Sequence, residues 1–222
     1  MTSEELYIEF IDLVEENATN NNLDASKELF VSLYNSTSLQ YLEWILEKRN
    51  EDAIRYVSPL LILKEKLQLE SSKPTHDNYK LPEDFFDFSN LDVYAKTDCC
   101  DEDRLKTFEI KEDDELEIYY DKFNEPSFPY RETFYTLSNN NVAVFKKGFY
   151  ISKVNLSYYR YPRQIDIEGY IRTDGTNSQN INPDLDDKVT KRILIATAKV
   201  FSANKGDSQG YQINSDRLFK SI

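Results

Sequence analysis

The chain opens with apolar positions in a helical rhythm. Leu6, Phe10, Leu13 and Val14 recur at three- and four-residue spacings, Thr2 or Ser3 stands at the cap, and Glu4 and Glu5 occupy the positive end of the macrodipole. The Asn-rich run at 17–22 breaks this helix, because Asn competes for backbone hydrogen bonds and tolerates left-handed conformations. Asp24 is then expected to cap a second helix with Leu29, Phe30, Leu33 and Tyr34 turned inward. "NSTS" at 35–38 reads as a loop and cap before a third helix, whose buried face is Leu39, Leu42, Ile45 and Leu46, with Trp44 at the bundle's edge. A fourth helix starts at Asn50 and is ended or kinked by Pro59. From Leu61 to Leu69 the alternation fits helix and strand equally.

Residues 71–90 read as a polar link closing in a Leu-Pro turn, after which the period shortens to two. "LDVYAK", "LKTFEI", "ELEIYY", "ETFYTL", "NVAVFKK", "GFYISKVNLSYYRY" and "IDIEGYI" are short, aromatic or β-branched, and parted by turn chemistry. They predict an antiparallel sheet or small sandwich. The sharpest helical signal follows: Asn182 as cap, Pro183 at the first helical position, and Leu185, Val189, Ile193, Ala196 and Val200 on one face. The expected organisation is one α+β domain: a helical bundle over 1–70, a β-rich part over 71–181, a C-terminal helix over 182–206 packing on the helical part, and an extended arm over 207–222. Within that arm Leu218 and Phe219 are docking anchors.

Charge narrows the range of partners. Forty Asp and Glu against 27 Lys and Arg give a net charge of −13. The cations are scattered and acids cluster at 101–103 and 112–115, so ordinary nucleic-acid binding, which neutralises phosphates, is disfavoured. No apolar run approaches the ~20 residues of a membrane span, and the acidic start does not read as a signal peptide, so a soluble, cytosolically made protein is expected.

Candidate chemistry is sparse. His76 is the only histidine and is expected in an exposed loop, with neither a Gly-x-Ser-x-Gly elbow nor a Cys-to-His pattern near it. Cys99 and Cys100 are adjacent, have no second pair to complete a zinc site, and read as buried at a strand end in a reducing compartment. The acidic runs lack calcium-loop spacing, and five glycines without Gly-x-Gly or Gly-Lys-Ser form no nucleotide cradle. No enzyme, cofactor or metal is expected. An enzyme working through an unrecognised carboxylate site is the least favoured reading.

The stretch "YYRYPRQIDIEGYI" at 158–171 interleaves aromatic and basic residues like a single-stranded nucleic-acid platform. Its alternation favours a two-faced strand instead. Val154, Leu156 and Tyr158 point to a core, while Asn155, Ser157, Tyr159 and Tyr161 form a wet tyrosine face. Acids follow at once, and Arg160 and Arg163 are expected to pair with acids nearby or on a neighbour.

"SYYRYPRQIDIEGYI", then "NPDLDDKVTKRILIATAKVFSAN" and a polar tail, resembles the C-terminal half of head–tail connector (adaptor, ring) proteins of tailed phages, closest to virion proteins of crAss-like phages. Upstream helices leading into "KLPEDFFDFSNLDVYAKTDCC" are similar to the same group in layout. The resemblance implies a homo-oligomeric ring of about twelve subunits closed by heterologous contacts. It would lie below the portal and above tail or neck proteins, in the virion, after synthesis in the bacterial cytoplasm. It implies no catalytic residue. In that frame Tyr158, Tyr159, Arg160, Tyr161, Arg163, Leu218 and Phe219 are the candidate inter-subunit residues. A carboxylate-rich wall would let DNA pass without sticking. Another phage structural role, as neck closure, tail tube or cargo, is the alternative.

Overall fold

The computed structural model describes residues 1–15, 25–48, 51–111, 119–121, 125–138 and 140–220, and the side chains at 51–53, 219 and 220 lie outside that description. The described chain is mixed α and β and divides into two compact units, Met1–Leu60 with Pro162–Ile222, and Leu61–Tyr161. The β unit is thus an insertion into the helical one. The division falls at Leu60/Leu61 and Tyr161/Pro162, not at 70/71 and 181/182: strands begin ten residues earlier than the polar composition indicates, and residues 162–181 belong to the helical unit. Each unit has its own hydrophobic core.

The helical unit contains α1 (Ser3–Glu15), α2 (Lys27–Lys48), α3 (Glu51–Tyr56), a 3₁₀ turn (Ser58–Leu60), α4 (Asp187–Asn204) and α5 (Ser208–Lys220). Thr2 and Glu5 form a reciprocal cap on α1: Glu5 N–H donates to Thr2 Oγ1 at 3.2 Å and Thr2 N–H to Glu5 Oε2 at 2.8 Å. Leu6, Phe10 and Val14 are buried as the period predicts, and α4 packs against both α1 and α2. Phe10 lies at the centre, its ring 4.8 Å from Phe30 and edge-on to Phe201 at 5.4 Å. The expected break at 17–22 and the cap at Asp24 fall outside the described residues, as does Asn50.

Several expectations for this unit are corrected. "NSTS" is not a loop, because α2 runs unbroken through it with Thr37 and Ser38 buried. Asn35 explains the override: its side-chain amide donates to Ile165 O at 3.0 Å and accepts from Ile165 N–H at 2.9 Å, so a helix-neutral residue is retained for a tertiary bond. Trp44 does not close the bundle: it is 46% exposed, its ring tilted against Tyr41 with centroids 5.9 Å apart. Asn182 does not cap α4. Asp186 does, accepting from Lys188 N–H at 2.8 Å, and Asn182 instead receives Ser3 N–H at 2.9 Å beside the start of α1. Ala196 and Val200 are half-buried, and the inward face of α4 is Val189, Ile193, Leu194, Ala198 and Phe201.

A further correction concerns the tail, which is helical and not an extended arm. Gly206, in left-handed geometry (φ 72), ends α4, and Asp207 caps α5 by accepting from Gly210 N–H at 3.1 Å. α5 packs on α4, burying Gly210 and a wholly enclosed Asn214 whose amide has no hydrogen-bond partner.

"IDIEGYI" is not a strand either. Residues 165–181 form an irregular segment with isolated bridges Asp166–Ile181 and Ile171–Asn177. Asp166 organises it. Its carboxylate accepts from Tyr170 Oη at 2.6 Å, Gln179 N–H at 2.8 Å and the Arg172 guanidinium. Burial works to raise the Asp166 pKa, but these donors together hold it below the usual carboxylate value. Burial and the neighbouring Asp166 push the Tyr170 phenol up to about 12.

The β unit is an eight-stranded curled sheet in the order β1-β8-β4-β5-β6-β7-β3-β2. Its strands are β1 (Leu61–Lys66), β2 (Gln68–Ser72), β3 (His76–Lys80), β4 (Phe85–Thr97), β5 (Cys100–Glu109), β6 (Glu132–Leu137), β7 (Asn141–Phe145) and β8 (Tyr150–Arg160). The ambiguous 61–69 run is therefore strand, and the supposed polar link contains β3 and the start of β4. All pairings are antiparallel except β5–β6, which is parallel and departs from the purely antiparallel expectation. Most of "ELEIYY" lies outside the described residues.

Both edges of the sheet, β1 and β2, come from one run of chain, parted only by Leu67. Leu67 is buried and donates its N–H to Val154 O at 3.0 Å, so the sheet curls until its two rims meet at that corner. Each rim strand carries a register shift, between Ile62 and Glu65 in β1 and between Leu69 and Ser71 in β2. The first places Lys64 at φ 56, with its N–H donating to Ser157 Oγ at 3.1 Å. Bulges and charged residues on a rim discourage edge-to-edge pairing with other chains.

Candidate functional site

The aromatic–basic stretch 158–163 crosses the boundary between the units, with Tyr161 the last residue of the β unit and Pro162 the first of the returning helical chain. Within it the side chains have different fates. Tyr158 is 2% exposed and belongs to the β core, as alternation predicts. Its phenol reaches two carboxylates, Glu65 at 3.0 Å on β1 and Asp84 at 2.8 Å in the turn before β4. Burial first, then these acids, raise its pKa. One phenolic proton between two acceptors ties three segments of the unit together.

Tyr159 is 8% exposed, and Asn155 and Ser157 are buried too, so the predicted wet tyrosine face is absent at these positions. Burial and Asp87 raise the Tyr159 phenol. Arg160 is half-buried and donates to Tyr161 O at 3.2 Å. Tyr161 does present a surface. It is 48% exposed, its N–H is fixed to Asp84 O at 2.9 Å, and its ring meets Phe86 edge-on at 4.9 Å. Arg163 is exposed, with its backbone N–H held by the Asp184 carboxylate at 3.2 and 3.3 Å. Leu218 is half-buried on α5, and the side chain of Phe219 lies outside the described residues. Of the seven candidates, then, Tyr161 and Arg163 are available at the surface, and Tyr158 and Tyr159 are not.

Further exposed aromatics occur on the β unit at positions the sequence did not single out. Phe108 is exposed on β5 and stands in register beside Phe134 on β6, ring centroids 6.1 Å apart, with Lys106 opposite Glu132 in the same ladder. Tyr130 and Tyr150 are exposed as well. Alternation could have pointed to Phe108, since Leu105 and Thr107 flank it on the other face. Nothing in the sequence marks Tyr130 as exposed.

Groups with chemical potential do not converge. His76 is not in a loop: it lies half-buried on β3, its ring 5.5 Å from Phe145 and its Nδ1 hydrogen-bonded to Thr75 Oγ1 at 3.0 Å. A ≈690 Å³ cavity is lined by Ser72, Lys73, Pro74, Asp98, Lys146, Gly148, Phe149 and Tyr150. Its one deep charge, Lys146, is already engaged by Asp77 and by Ser72 Oγ at 2.9 Å. No nucleophile–base pair lines it. Cys99 and Cys100 are exposed free thiols and not the buried pair expected from sequence. Hydrogen bonding from Thr97 first, and then from Cys100, lowers the Cys99 thiol pKa. Among the described residues no group of three or more metal-ligating side chains is gathered, and no helix is long and apolar enough to cross a membrane.

No protein-family model matches this chain, and a search of curated proteins finds no similar sequence.

Proposed function

We propose that this chain is a virion structural protein that builds a ring of the head–tail connector, between portal and tail, as part of the DNA conduit. The observation that carries the reading is the set of large aromatic side chains left at the surface of a β unit whose core is otherwise filled: Phe108, Tyr130, Tyr150 and Tyr161. Large aromatic rings supply much contact area at low entropic cost, and the three tyrosines keep a polar tip, which suits surfaces buried only on assembly. The resemblance at 157–204 supplies the kind of assembly, and the net charge of −13 fits a wall that repels passing phosphates.

In this reading Tyr161 and Arg163 are the seam residues of the stretch, Phe108 with Phe134 forms a second patch, and Tyr158 and Tyr159 support the seam from inside. The ring holds about twelve copies joined head to tail. The test is light scattering and negative-stain microscopy of the purified chain, alone and mixed with the portal protein of its own virus. Rings are expected with the portal, and the double change Tyr161→Ala with Arg163→Glu should abolish them while leaving the circular dichroism spectrum unchanged. A chain that stays monomeric beside its portal, or a double variant that assembles normally, would remove the proposal.

A further inference from the structure

The β4–β5 hairpin turns through only two residues, Asp98 and Cys99, with Thr97 paired to Cys100 across it. Both cysteines are therefore fixed at the tip of a paired ladder, free and exposed. Their sulfurs lie 3.4 Å apart, and Thr97 Oγ1 lies 3.4 Å from Cys99 Sγ on the same side. Once Cys99 is ionised, both neighbours act as donors to it, the hydroxyl of Thr97 and the S–H of Cys100. That support singles out Cys99 as the thiol of the pair that ionises more readily, and so as the attacking one. The Cys99 thiol is lowered accordingly, against the opposing charge of Asp98.

Two chemistries suit adjacent exposed thiols. Holding a metal ion is the weaker, since a closed site for a thiophilic ion such as zinc takes four ligands and the described residues bring no third one to the tip. Thiol–disulfide exchange needs only an attacking thiolate, a resolving thiol in contact, and access from solvent. All three are present.

We propose that Cys99 and Cys100 form a dithiol exchange site whose substrate is a small-molecule disulfide. In the first step Cys99 Sγ, as thiolate, attacks one sulfur of the substrate. The substrate's S–S bond breaks, one small thiolate leaves, and it takes up a proton from solvent equal to the one Cys99 released. In the second step Cys100 gives up its proton and attacks Cys99 Sγ, expelling the second small thiol. The protein loses two hydrogens and the substrate is reduced to two thiols, so atoms and electrons balance. The second step moves sulfurs already in contact toward a bond of about 2.05 Å. Closing a small ring over one peptide unit strains that bond, so excess thiol reverses it readily.

Glutathione disulfide is the probe, used on the full-length chain, with acid quenching and intact-mass measurement over time. The unaltered chain should lose two hydrogens without retaining a glutathionyl group, and dithiothreitol should restore the starting mass. Cys100→Ser should retain one glutathionyl group, because nothing resolves it. Cys99→Ser should react about tenfold more slowly than Cys100→Ser, having lost the supported thiolate. An unaltered chain that accumulates glutathionyl groups, or that stays unmodified while its urea-unfolded form reacts, would overturn the proposal. Equal rates for the two single variants would do the same. Both positions are exposed at the hairpin tip, so none of these changes threatens the fold.

Discussion

The helical unit and the β unit meet one requirement, the pairing of buried backbone groups, by different means. In the β unit the ladders do it: eight strands pair one another, and side chains are free to fill the core or face solvent. In the helical unit the segment 165–181 has no regular structure, and side chains substitute for a ladder. Asn35 serves both backbone groups of Ile165, Ser178 Oγ takes Tyr170 N–H at 3.0 Å, Asn180 takes Glu168 N–H at 2.8 Å, and Asp166 takes Gln179 N–H. A strand pairing tolerates almost any residue at a given position. A side-chain clamp depends on one particular residue, so single polar substitutions should damage the helical unit more than the β unit.

The largest effect tests whether the units are energetically separate. Phe10→Ala removes a ring at the centre of the helical core and should cost about 3–5 kcal/mol. Native-state hydrogen exchange should then show faster exchange in α1, α2 and α4 with β4 and β8 still protected. Equal loss of protection in both units would break the comparison. Next is the clamp. Asp166→Asn keeps the shape but loses the charge that Tyr170 and Arg172 bond to, and about 2 kcal/mol of stability in urea titration is expected.

The same residue has a pH signature. The folded-state pKa of Asp166 lies below the ordinary carboxylate value of 3.8, so its contribution is complete above that value and is lost as the pH falls through the folded pKa. The acid limb of stability should therefore flatten in Asp166→Asn: the gap between the two proteins is full at neutral pH and closes only in the strongly acidic range. Tyr158→Phe probes the β unit's own polar tie, removing a phenol bonded to Glu65 and Asp84, and should cost about 1.5 kcal/mol by chemical denaturation. A loss larger than that of Asp166→Asn would reverse the ranking of the two units. The smallest effect has the opposite sign. Lys64→Gly relieves a left-handed residue in the β1 bulge and should stabilise by about 0.5 kcal/mol, part of the relief being offset by the greater freedom of Gly in the unfolded chain.

The same contrast decides how much was legible in the sequence. Period-two alternation located β6 at its bounds and most of β7 and β8, because a half-buried strand writes its two faces into adjacent positions. The helical stripe of α1 was equally plain. Reading failed where polar residues do tertiary work. Asn35, Thr37 and Ser38 look like a loop because their usual preference is for caps and turns, yet they lie inside a 22-residue helix. α5 was missed because its inward positions are Gly210 and Asn214, which carry no hydrophobic period. "IDIEGYI" alternates well but pairs with no strand, since Asp166 and Asn35 offer its backbone better partners. For the candidate surface, local pattern exposed Tyr161 and Arg163 but could not show that Tyr158 and Tyr159 are enclosed. That depends on which segments fold over β8, which no local pattern records.

The corner at Leu67 has a further consequence. Because a single stretch of chain furnishes both margins of the sheet, neither margin can fray without pulling on the other through one residue. Deleting Leu67 would reverse the orientation of every side chain on one margin relative to the other, a fault no nearby substitution could repair. Insertions aimed at reshaping this unit are better placed in the turn between β7 and β8, where Gly148 already absorbs the bend and neither margin is disturbed.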